Sequence, residues 1–360
     1  MKLAQRYADG MMARNHTLHE KWHYENGCFL KGLASLYEKT GNKEYFDFIV
    51  RIMDMFINEK GQIATYKIED YNLDQINQGK MLLYLYKKTG QERYKSAAYK
   101  LMIQLRNHPR TAEGIFFHKK MYPSQVWLDG LYMASPFWAE FIRDFEYTKV
   151  YDEVIRQFTG AYKNTLDVKS GLLKHAWDES KTQVWSNPIT GQSEHTWSRA
   201  LGWYMMALVD TLEIIPENEK SRQYLLDILN VLADRIFDYC DEKFNCWYQV
   251  VECVGREGNY LEASGSIMII SSLAKAVNRG YIDNAYKEKI KKSYDGFLNH
   301  FISEDENGYM DINYICSCAG LGSDPYRTGG YSYYIGEGIS SNDYKCMGAF
   351  IDADIEISLF

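Results

Sequence analysis

The chain has 360 residues, of which 46% are hydrophobic and 25% are charged, and its formal net charge is -7. This composition is typical of a globular protein, and the negative charge argues against nucleic acid and anionic membrane surfaces as partners. Only six prolines occur and no Pro/Ser-rich linker is visible, which favours a helical chain with a single domain over residues 1–360. The seven cysteines are odd in number and the first residues lack a secretory signal, so we expect reduced thiols in a cytoplasmic monomer.

Two segments near the N-terminus reveal an internal repeat. The sequence LYEKTGNKEY at 36–45 returns as LYKKTGQERY at 85–94. In each copy a lysine precedes a glycine, Gly41 or Gly90, that suits the left-handed C-cap of a helix, and a new helix follows. The repeat predicts tight helix–helix turns at one end of the fold. Weaker copies of the turn occupy 145–151, 216–224 and 279–286.

Six glycines along the chain each open an apolar run that follows a polar and aromatic segment. Such runs are apolar on nearly every face, which is typical of buried helices, and the segments before them are longer than ordinary connectors. We therefore predict an all-α fold, an (α/α)6 barrel of six helical hairpins whose inner helices begin at the long loops; an open helical array is the alternative. The glycines are Gly27, Gly79, Gly130, Gly202, Gly265 and Gly348, examples of the runs are 78–88, 131–145, 203–214 and 266–277, and the loops are 10–24, 58–76, 107–127, 167–198, 241–262 and 302–346.

The third long loop has the densest set of chemically useful side chains. Asp129 stands where an apolar helix begins, and Trp127, His118 and Lys119 precede it. On position alone Asp129 suits an N-cap, because aspartate is a preferred capping residue. An aromatic ring can also stack on a sugar, and cations hold a carboxylate, so the segment equally predicts a pocket for a sugar acid.

Asp74 holds the equivalent place in the preceding unit. Adjacent inner helices would bring Asp74 and Asp129 to one rim, unless the two are separate caps. Two close carboxylates disfavour joint ionisation, and this effect exceeds the helix dipole, so we expect a raised pKa in one of them and a protonated general acid near neutral pH.

The fourth and last loops add further candidates. Arg199 offers a planar fork for a carboxylate, with a structural ion pair to Glu262 or Asp74 as the alternative. His175 suits acid–base chemistry or a hydrogen bond to a sugar hydroxyl, whereas His195 suits a structural role. The glycine- and tyrosine-rich segment 320–338 is either a lid or a loop that closes the barrel. No nucleotide or metal motif is present, so we expect no cofactor and no metal.

These segments together resemble glycoside hydrolase family 105, the unsaturated rhamnogalacturonyl hydrolases. The likeness extends over nearly the whole chain, and the run around Asp129 is its most specific part. The related family 88 enzymes act on unsaturated glucuronyl units and share the aspartate pair. The segments that resemble the family are 22–27, 72–75, 118–119, 122–133, 197–203 and 318–322.

The resemblance implies an (α/α)6 barrel and a hydration reaction on small anionic oligosaccharides left by a polysaccharide lyase. In that reaction Asp129 protonates C4 of a 4,5-unsaturated galacturonyl residue, water adds at C5, and the aglycone, rhamnose in the type case, departs. Asp74 would bind sugar hydroxyls and tune Asp129, and Arg199 is our first choice for holding the uronate carboxylate. The resemblance assigns substrate contacts to Tyr24, His118, Lys119, Trp127, Met133, His175, Trp197, Arg199 and Trp203.

Three alternatives to this function stay open. The protein is an unsaturated glucuronyl hydrolase acting on glycosaminoglycan fragments, a sugar epimerase or isomerase that recruits His175 and His195 as bases, or a non-catalytic oligosaccharide-binding protein. Ser124 and the pair Ala200-Leu201 depart from the usual family pattern near the pocket. The sequence therefore leaves the preferred aglycone open.

Overall fold

The computed structural model describes residues 1–360 and contains thirteen α-helices and six short strands. The helices are α1 (Lys2–Arg14), α2 (Tyr24–Thr40), α3 (Lys43–Asp54), α4 (Gly79–Thr89), α5 (Glu92–Asn107), α6 (Asp129–Phe145), α7 (Asp152–Thr165), α8 (Ser198–Leu212), α9 (Arg222–Ile236), α10 (Ala263–Asn278), α11 (Lys287–Phe301), α12 (Tyr331–Gly336) and α13 (Tyr344–Ile357). The strands are β1 (Gln125–Trp127), β2 (Ala176–Asp178), β3 (Ile302–Glu304), β4 (Met310–Ile312), β5 (Ile315–Cys316) and β6 (Ile339–Ser340).

Six helices form an inner ring and six an outer ring. In the inner ring α2, α4, α6, α8, α10 and α13 contact one another in that order, and α13 packs on α2 and completes the circle. Helices α1, α3, α5, α7, α9 and α11 lie outside. The last inner helix pairs with the first outer one, where the backbone N–H of Ala4 donates to Asp354 Oδ2 at 2.9 Å. The predicted (α/α)6 barrel is confirmed, and the open array is excluded.

The burial pattern follows from the sequence of each helix. Every residue of α8 is buried, as are fourteen of the sixteen residues of α10, whereas α3 buries one stripe only. The repeat turns are as predicted: Gly41 and Gly90 end α2 and α4 with φ of 69° and 68°, and each N–H donates to a carbonyl of the last turn at 2.8 Å. None of the helices has both the length and the apolar character that a bilayer span needs.

Four of the six glycines, Gly79, Gly202, Gly265 and Gly348, let neighbouring inner helices approach closely at their N-terminal ends. A Cβ atom on Gly265 would lie 2.5 Å from Ser198 Oγ on α8. A Cβ on Gly348 of α13 would overlap the carbonyl oxygen of Cys28 on α2. Larger residues would push the helices apart, so the glycines set the width of the ring at this rim.

The long loops meet at the same rim and are tied together by short antiparallel strand pairs. Strand β1 pairs with β2, β3 with β4, and β5 with β6. Isolated bridges join Asn72 to Lys119 and Trp197 to Val250. The rim is therefore an ordered surface, and the loops place their side chains above the N-termini of the inner helices.

Candidate active site

The β1–β2 pair brings Asp129 and His175 together. Trp127, the last residue of β1, pairs with Ala176, the first residue of β2, and the N–H of Leu128 donates to the His175 carbonyl at 3.1 Å. Asp129 is the first residue of α6, and its Oδ2 lies 3.5 Å from His175 Nε2. Oδ2 has no hydrogen-bond partner and the side chain caps no N–H of the helix, so the N-cap interpretation of Asp129 is wrong.

Asp74 lies on the same rim and forms an ion pair. Lys119 Nζ is 2.6 Å from Asp74 Oδ2, and His118 Nε2 is 3.5 Å from Oδ1. The loops are held in register by the N–H of Leu73, which donates to the His118 carbonyl at 3.1 Å. Asn72, rather than Asp74, caps the short helical turn here. The prediction that Asp74 and Asp129 share one rim is consistent with this arrangement, because the charges of both act on His118.

The expected rise in one carboxyl pKa is wrong for the free protein. Burial raises the pKa of Asp74, but the charge and hydrogen bond of Lys119 outweigh burial, and the net pKa is lowered. Burial likewise raises the pKa of Asp129, but the His175 imidazole, whose Nε2 lies 3.5 Å from Oδ2, outweighs burial, and the net pKa is lowered. The like-charge repulsion is only a lesser effect, because each carboxylate has gained a cationic or N–H neighbour of its own.

His175 is fixed by a residue that the sequence analysis did not place in the site. Its Nδ1 lies 2.8 Å from the hydroxyl of Tyr334 on α12, and both side chains are fully buried. No other acceptor or donor contacts that hydroxyl, so the tyrosine O–H is free to donate to Nδ1 and leave the ring proton on Nε2, facing Asp129. Tyr334 also packs part of the segment 320–338 against the rim, which is what a loop that closes the barrel would do.

The Arg199 guanidinium is not free to bind a substrate carboxylate. Its guanidinium donates to the carbonyls of Cys316 and Ser317 and to Ser264 Oγ, and the side chain is 1% exposed. The alternative ion pair with Glu262 or Asp74 is absent as well, because Glu262 caps α10. Arg199 therefore anchors the last loop to the barrel, and its selection as the first carboxylate ligand is not supported.

Lys119 is a partly exposed cation beside Asp74, and the neighbouring Lys120 is exposed. Its side chain is 22% exposed, against 15% for Asp129 and 17% for Asp74. Burial lowers the Lys119 pKa, but the charge of Asp74 outweighs it and the net pKa is raised, so the ammonium stays charged. In contrast, burial lowers the pKa of His118 to about 4, and its imidazole is neutral at pH 7.

The rings of Trp127 and Trp197 pack against other side chains and do not present a free face to the pocket. The Trp127 ring stacks on His118 at 4.8 Å and on Tyr122 at 5.0 Å between centroids. The Trp197 ring lies against His175 at 4.8 Å, also between centroids. The expected sugar-stacking face of Trp127 and Trp197 is therefore covered in this structure. Three further candidates differ in exposure: Tyr24 is half-buried at the start of α2, whereas Met133 and Trp203 are buried in the core.

Two residues outside the predicted site support it from the last loop. Arg327 donates to the Tyr122 hydroxyl at 3.1 Å and holds that ring on Trp127, and Tyr334 orients His175. The only sequence signal for either was the richness of this loop in tyrosine and glycine. His195, suggested as a base in the isomerase alternative, lies between Glu252 at 3.1 Å and Glu194 at 3.2 Å.

Comparisons with known proteins agree with this geometry. The family model described as Glycosyl Hydrolase Family 88 matches residues 2–360. A family 105 glycoside hydrolase from C. acetobutylicum ATCC 824 is 47% identical with a TM-score of 0.98, and the alignment covers 100% of both chains. The unsaturated rhamnogalacturonyl hydrolase YesR of Bacillus subtilis (strain 168) is 27% identical over 297 residues, which are 81% of this chain and 79% of that protein.

A more distant structure shows how widely the fold is shared. The unsaturated glucuronyl hydrolase from Bacillus sp. GL1 has a TM-score of 0.71 at 14% identity, covering 99% of this chain and 96% of that one. With a family match over almost the full length, the protein belongs to the glycoside hydrolases of families 88 and 105.

Proposed function

We propose that the protein removes a 4,5-unsaturated galacturonyl residue from the non-reducing end of lyase-generated rhamnogalacturonan oligosaccharides. The observation that carries the proposal is the Asp129 carboxylate, which has an unpartnered oxygen at a helix N-terminus 3.5 Å from His175 and is partly exposed on the rim. The similarity to YesR, whose name gives the rhamnogalacturonyl specificity, supports the substrate class.

The reaction proceeds by hydration of the C4=C5 bond. Asp129 delivers its proton to C4, and positive charge builds at C5 and the ring oxygen. Water adds at C5 and returns a proton to Asp129, so one carboxyl group acts first as acid and then as base. The resulting hemiketal opens and the aglycone leaves. His175, held by Tyr334, orients the Asp129 carboxylate through its Nε2 proton.

Asp129 must be protonated when substrate is bound, although its pKa is lowered in the free protein. The bound substrate raises the pKa of Asp129. Its carboxylate adds a negative charge beside Asp129 and its ring expels water, and both raise the pKa of a carboxyl group. The proton is therefore taken up together with the anionic substrate, and kcat/KM should rise as the pH falls from 7 towards 5.

A direct displacement at the anomeric carbon fits the site less well. That mechanism needs a second carboxylate free to act as nucleophile or base. Asp74 is held by Lys119 at 2.6 Å and its pKa is lowered, so it serves better as an anchor for sugar hydroxyls. Lys119, a partly exposed cation beside the pocket aspartates, is our candidate for holding the uronate carboxylate.

The cellular setting follows from the same proposal. A protein with seven free cysteines suits a reducing compartment, so we infer a cytoplasmic enzyme that acts on short pectin-derived fragments after their import. We further infer a single domain over residues 1–360, because one cluster of 104 buried hydrophobic residues includes side chains from α1 to α13. We propose that this domain acts as a monomer.

The test is a panel of unsaturated disaccharides made by lyases from rhamnogalacturonan, polygalacturonate and glycosaminoglycans. We expect the ultraviolet absorbance of the conjugated uronate to fall fastest with the rhamnose-linked substrate. In deuterated water one deuteron should enter C4 at early times, with slower exchange into isolated product measured as the control. Preference for the glycosaminoglycan disaccharide would favour the glucuronyl hydrolase, label in recovered free sugars an isomerase, and binding with unchanged absorbance a non-catalytic protein.

A further inference from the structure

Three side chains at the start of the first inner helix have the composition of a metal site. His19 and His23 lie in the loop before α2, and Glu25 is the second residue of that helix. One ligand atom from each residue lies within 4.8 Å of the others. His19 Nε2 is 2.5 Å from Glu25 Oε2, and the two imidazole rings are 4.7 Å apart between centroids. None of the three has a role in the hydration reaction.

The backbone that carries these ligands is rigidly held. Asn26, which is fully buried, accepts the His19 N–H at 3.0 Å and donates to the His19 carbonyl at 3.2 Å. Gln78, also fully buried, donates to the His23 carbonyl at 2.5 Å. The backbone that carries His19 and His23 is therefore fixed.

A further observation points to an unused ligand atom. His23 Nδ1 is buried without a hydrogen-bond partner, which is costly for an imidazole nitrogen. Glu25 uses its other oxygen, Oε1, to accept from Lys345 at 3.0 Å, which leaves Oε2 on the histidine side.

We propose that His19, His23 and Glu25 bind one divalent transition-metal ion of the Zn²⁺ type, through two imidazole nitrogens and one carboxylate oxygen. Nitrogen ligands favour such ions over Ca²⁺ and Mg²⁺, which prefer oxygen. Ligand atoms around tetrahedral zinc lie about 2.0–2.2 Å from the ion and therefore about 3.4 Å from one another. His19 Nε2 and Glu25 Oε2, which are 2.5 Å apart, must move away from each other to admit the ion. His19, with 40% of its side chain exposed, has the freedom to do so.

The position of the site gives it a consequence for the rim. His23 is the N-cap of the inner helix α2, and its carbonyl accepts from Gln78, four residues after Asp74. A bound cation would add positive charge at this edge of the pocket, where an anionic oligosaccharide approaches. Lys345 already partners Glu25, so it competes with the metal and makes binding reversible rather than permanent.

The test uses the metal alone and requires no substrate, so it is independent of the proposed reaction. Metal-free protein is titrated with Co²⁺, followed by its visible absorption, and with Zn²⁺ by calorimetry. We expect one equivalent to bind. His19→Ala and Glu25→Gln should each raise Kd at least about tenfold, because each removes one of three ligands. His16→Ala is the matched control, since this exposed histidine lies on the same loop outside the cluster.

Each result decides the assignment. Loss of the Co²⁺ spectrum in His19→Ala with retention in His16→Ala supports it. Absence of binding at millimolar metal overturns it, as does unchanged affinity in both cluster variants, which would point to cysteines or other residues. Far-UV circular dichroism confirms that each variant is folded, and Glu25→Gln keeps the side-chain size and the Lys345 contact if His19→Ala is destabilised.

Discussion

The aspartates at the two ends of the barrel have different neighbours. At the rim where the inner helices begin, Asp129 has only an imidazole, His175 at 3.5 Å, and one of its oxygens has no hydrogen-bond partner. At the other end, the bore has a cavity of about 300 Å³ in which Lys31 and Lys275, although not Lys80, are paired with carboxylates. There Lys31 lies 2.7 Å from Asp352, and Lys275 lies 2.8 Å from Asp210.

This difference shows which end is built for a ligand. An unpaired buried polar atom costs free energy, and a fold retains it where a ligand supplies the partner. Paired charges need no ligand, and removing one partner harms the fold rather than a reaction. Cavity volume does not single out the bore, because a pocket of about 480 Å³ lined by Lys119 and Lys120 lies at the rim. The free Asp129 oxygen beside His175 points to the rim as well.

The largest effect should come from Asp129→Asn at the rim. The amide keeps the shape of the side chain but has no proton to deliver to C4. We expect kcat to fall by about 10²–10⁴-fold, the usual contribution of a general acid, with substrate affinity largely kept. Steady-state kinetics on the unsaturated disaccharide, with calorimetric binding, measures both. If kcat fell less than tenfold, another group would be the acid.

Asp210→Asn at the opposite end should lower the stability of the protein and leave kcat unchanged. Its carboxylate lies between Lys275 at 2.8 Å and Lys31 at 3.4 Å, and those neighbours hold its pKa well below the usual range despite burial. We expect a loss of about 3 kcal/mol in the free energy of unfolding at pH 7, measured by urea denaturation. The loss should shrink below about pH 4, because the wild-type contribution disappears as Asp210 itself becomes protonated.

Activity provides the control for Asp210→Asn. Below the unfolding temperature, kcat per folded molecule should match the wild type, since Asp210 lies at the far end of the bore from Asp129. A specific loss of kcat in the folded variant would contradict the division between the two ends.

Lys80, unlike the other two lysines of the bore, has no carboxylate partner, and its substitution should have a smaller effect on stability. Its Nζ lies 3.5 Å from the centroid of the Tyr132 ring and has no carboxylate partner within salt-bridge distance, and burial lowers its pKa from 10.5 to about 7. Below pH 7 the buried charge costs its full amount, and this cost fades as the pH rises from about 7 to 10.5, because the unfolded chain then binds more protons.

Lys80→Met should therefore stabilise the protein. Part of the gain is offset by loss of the cation–π contact, leaving about 2 kcal/mol at pH 6 to 7. Urea denaturation at pH 6 and pH 10 measures the change, and the gain should nearly vanish at the higher pH. A gain that is equal at both values would mean that packing, rather than the charge, is responsible.

The ring and its rim were predictable because they depend on local sequence patterns. Gly265 and Gly348 open apolar runs, and Gly41 ends a helix, so spacing alone indicated the architecture. The pair Asp74 and Asp129 followed from equivalent places in adjacent units.

The interactions of the site were not predictable from spacing, because they join residues far apart in the chain. Arg199 is anchored by carbonyls at 316 and 317, which no local pattern reveals. Lys119 pairs with Asp74 across two loops, and this contact reversed the expected pKa shift. Side-chain partners of this kind depend on the completed fold.

The smallest effect at the rim should come from Tyr334→Phe. The change removes the hydroxyl that lies 2.8 Å from His175 Nδ1 and leaves the ring packing in place. A neutral hydrogen bond of this type contributes about 1 kcal/mol, so we expect kcat to fall about fivefold with KM nearly unchanged. A change in the pH profile should accompany the loss, because the imidazole can then exchange its ring proton between Nδ1 and Nε2. A purely structural role for Tyr334 would instead lower the unfolding temperature and leave the pH profile as it is in the wild type.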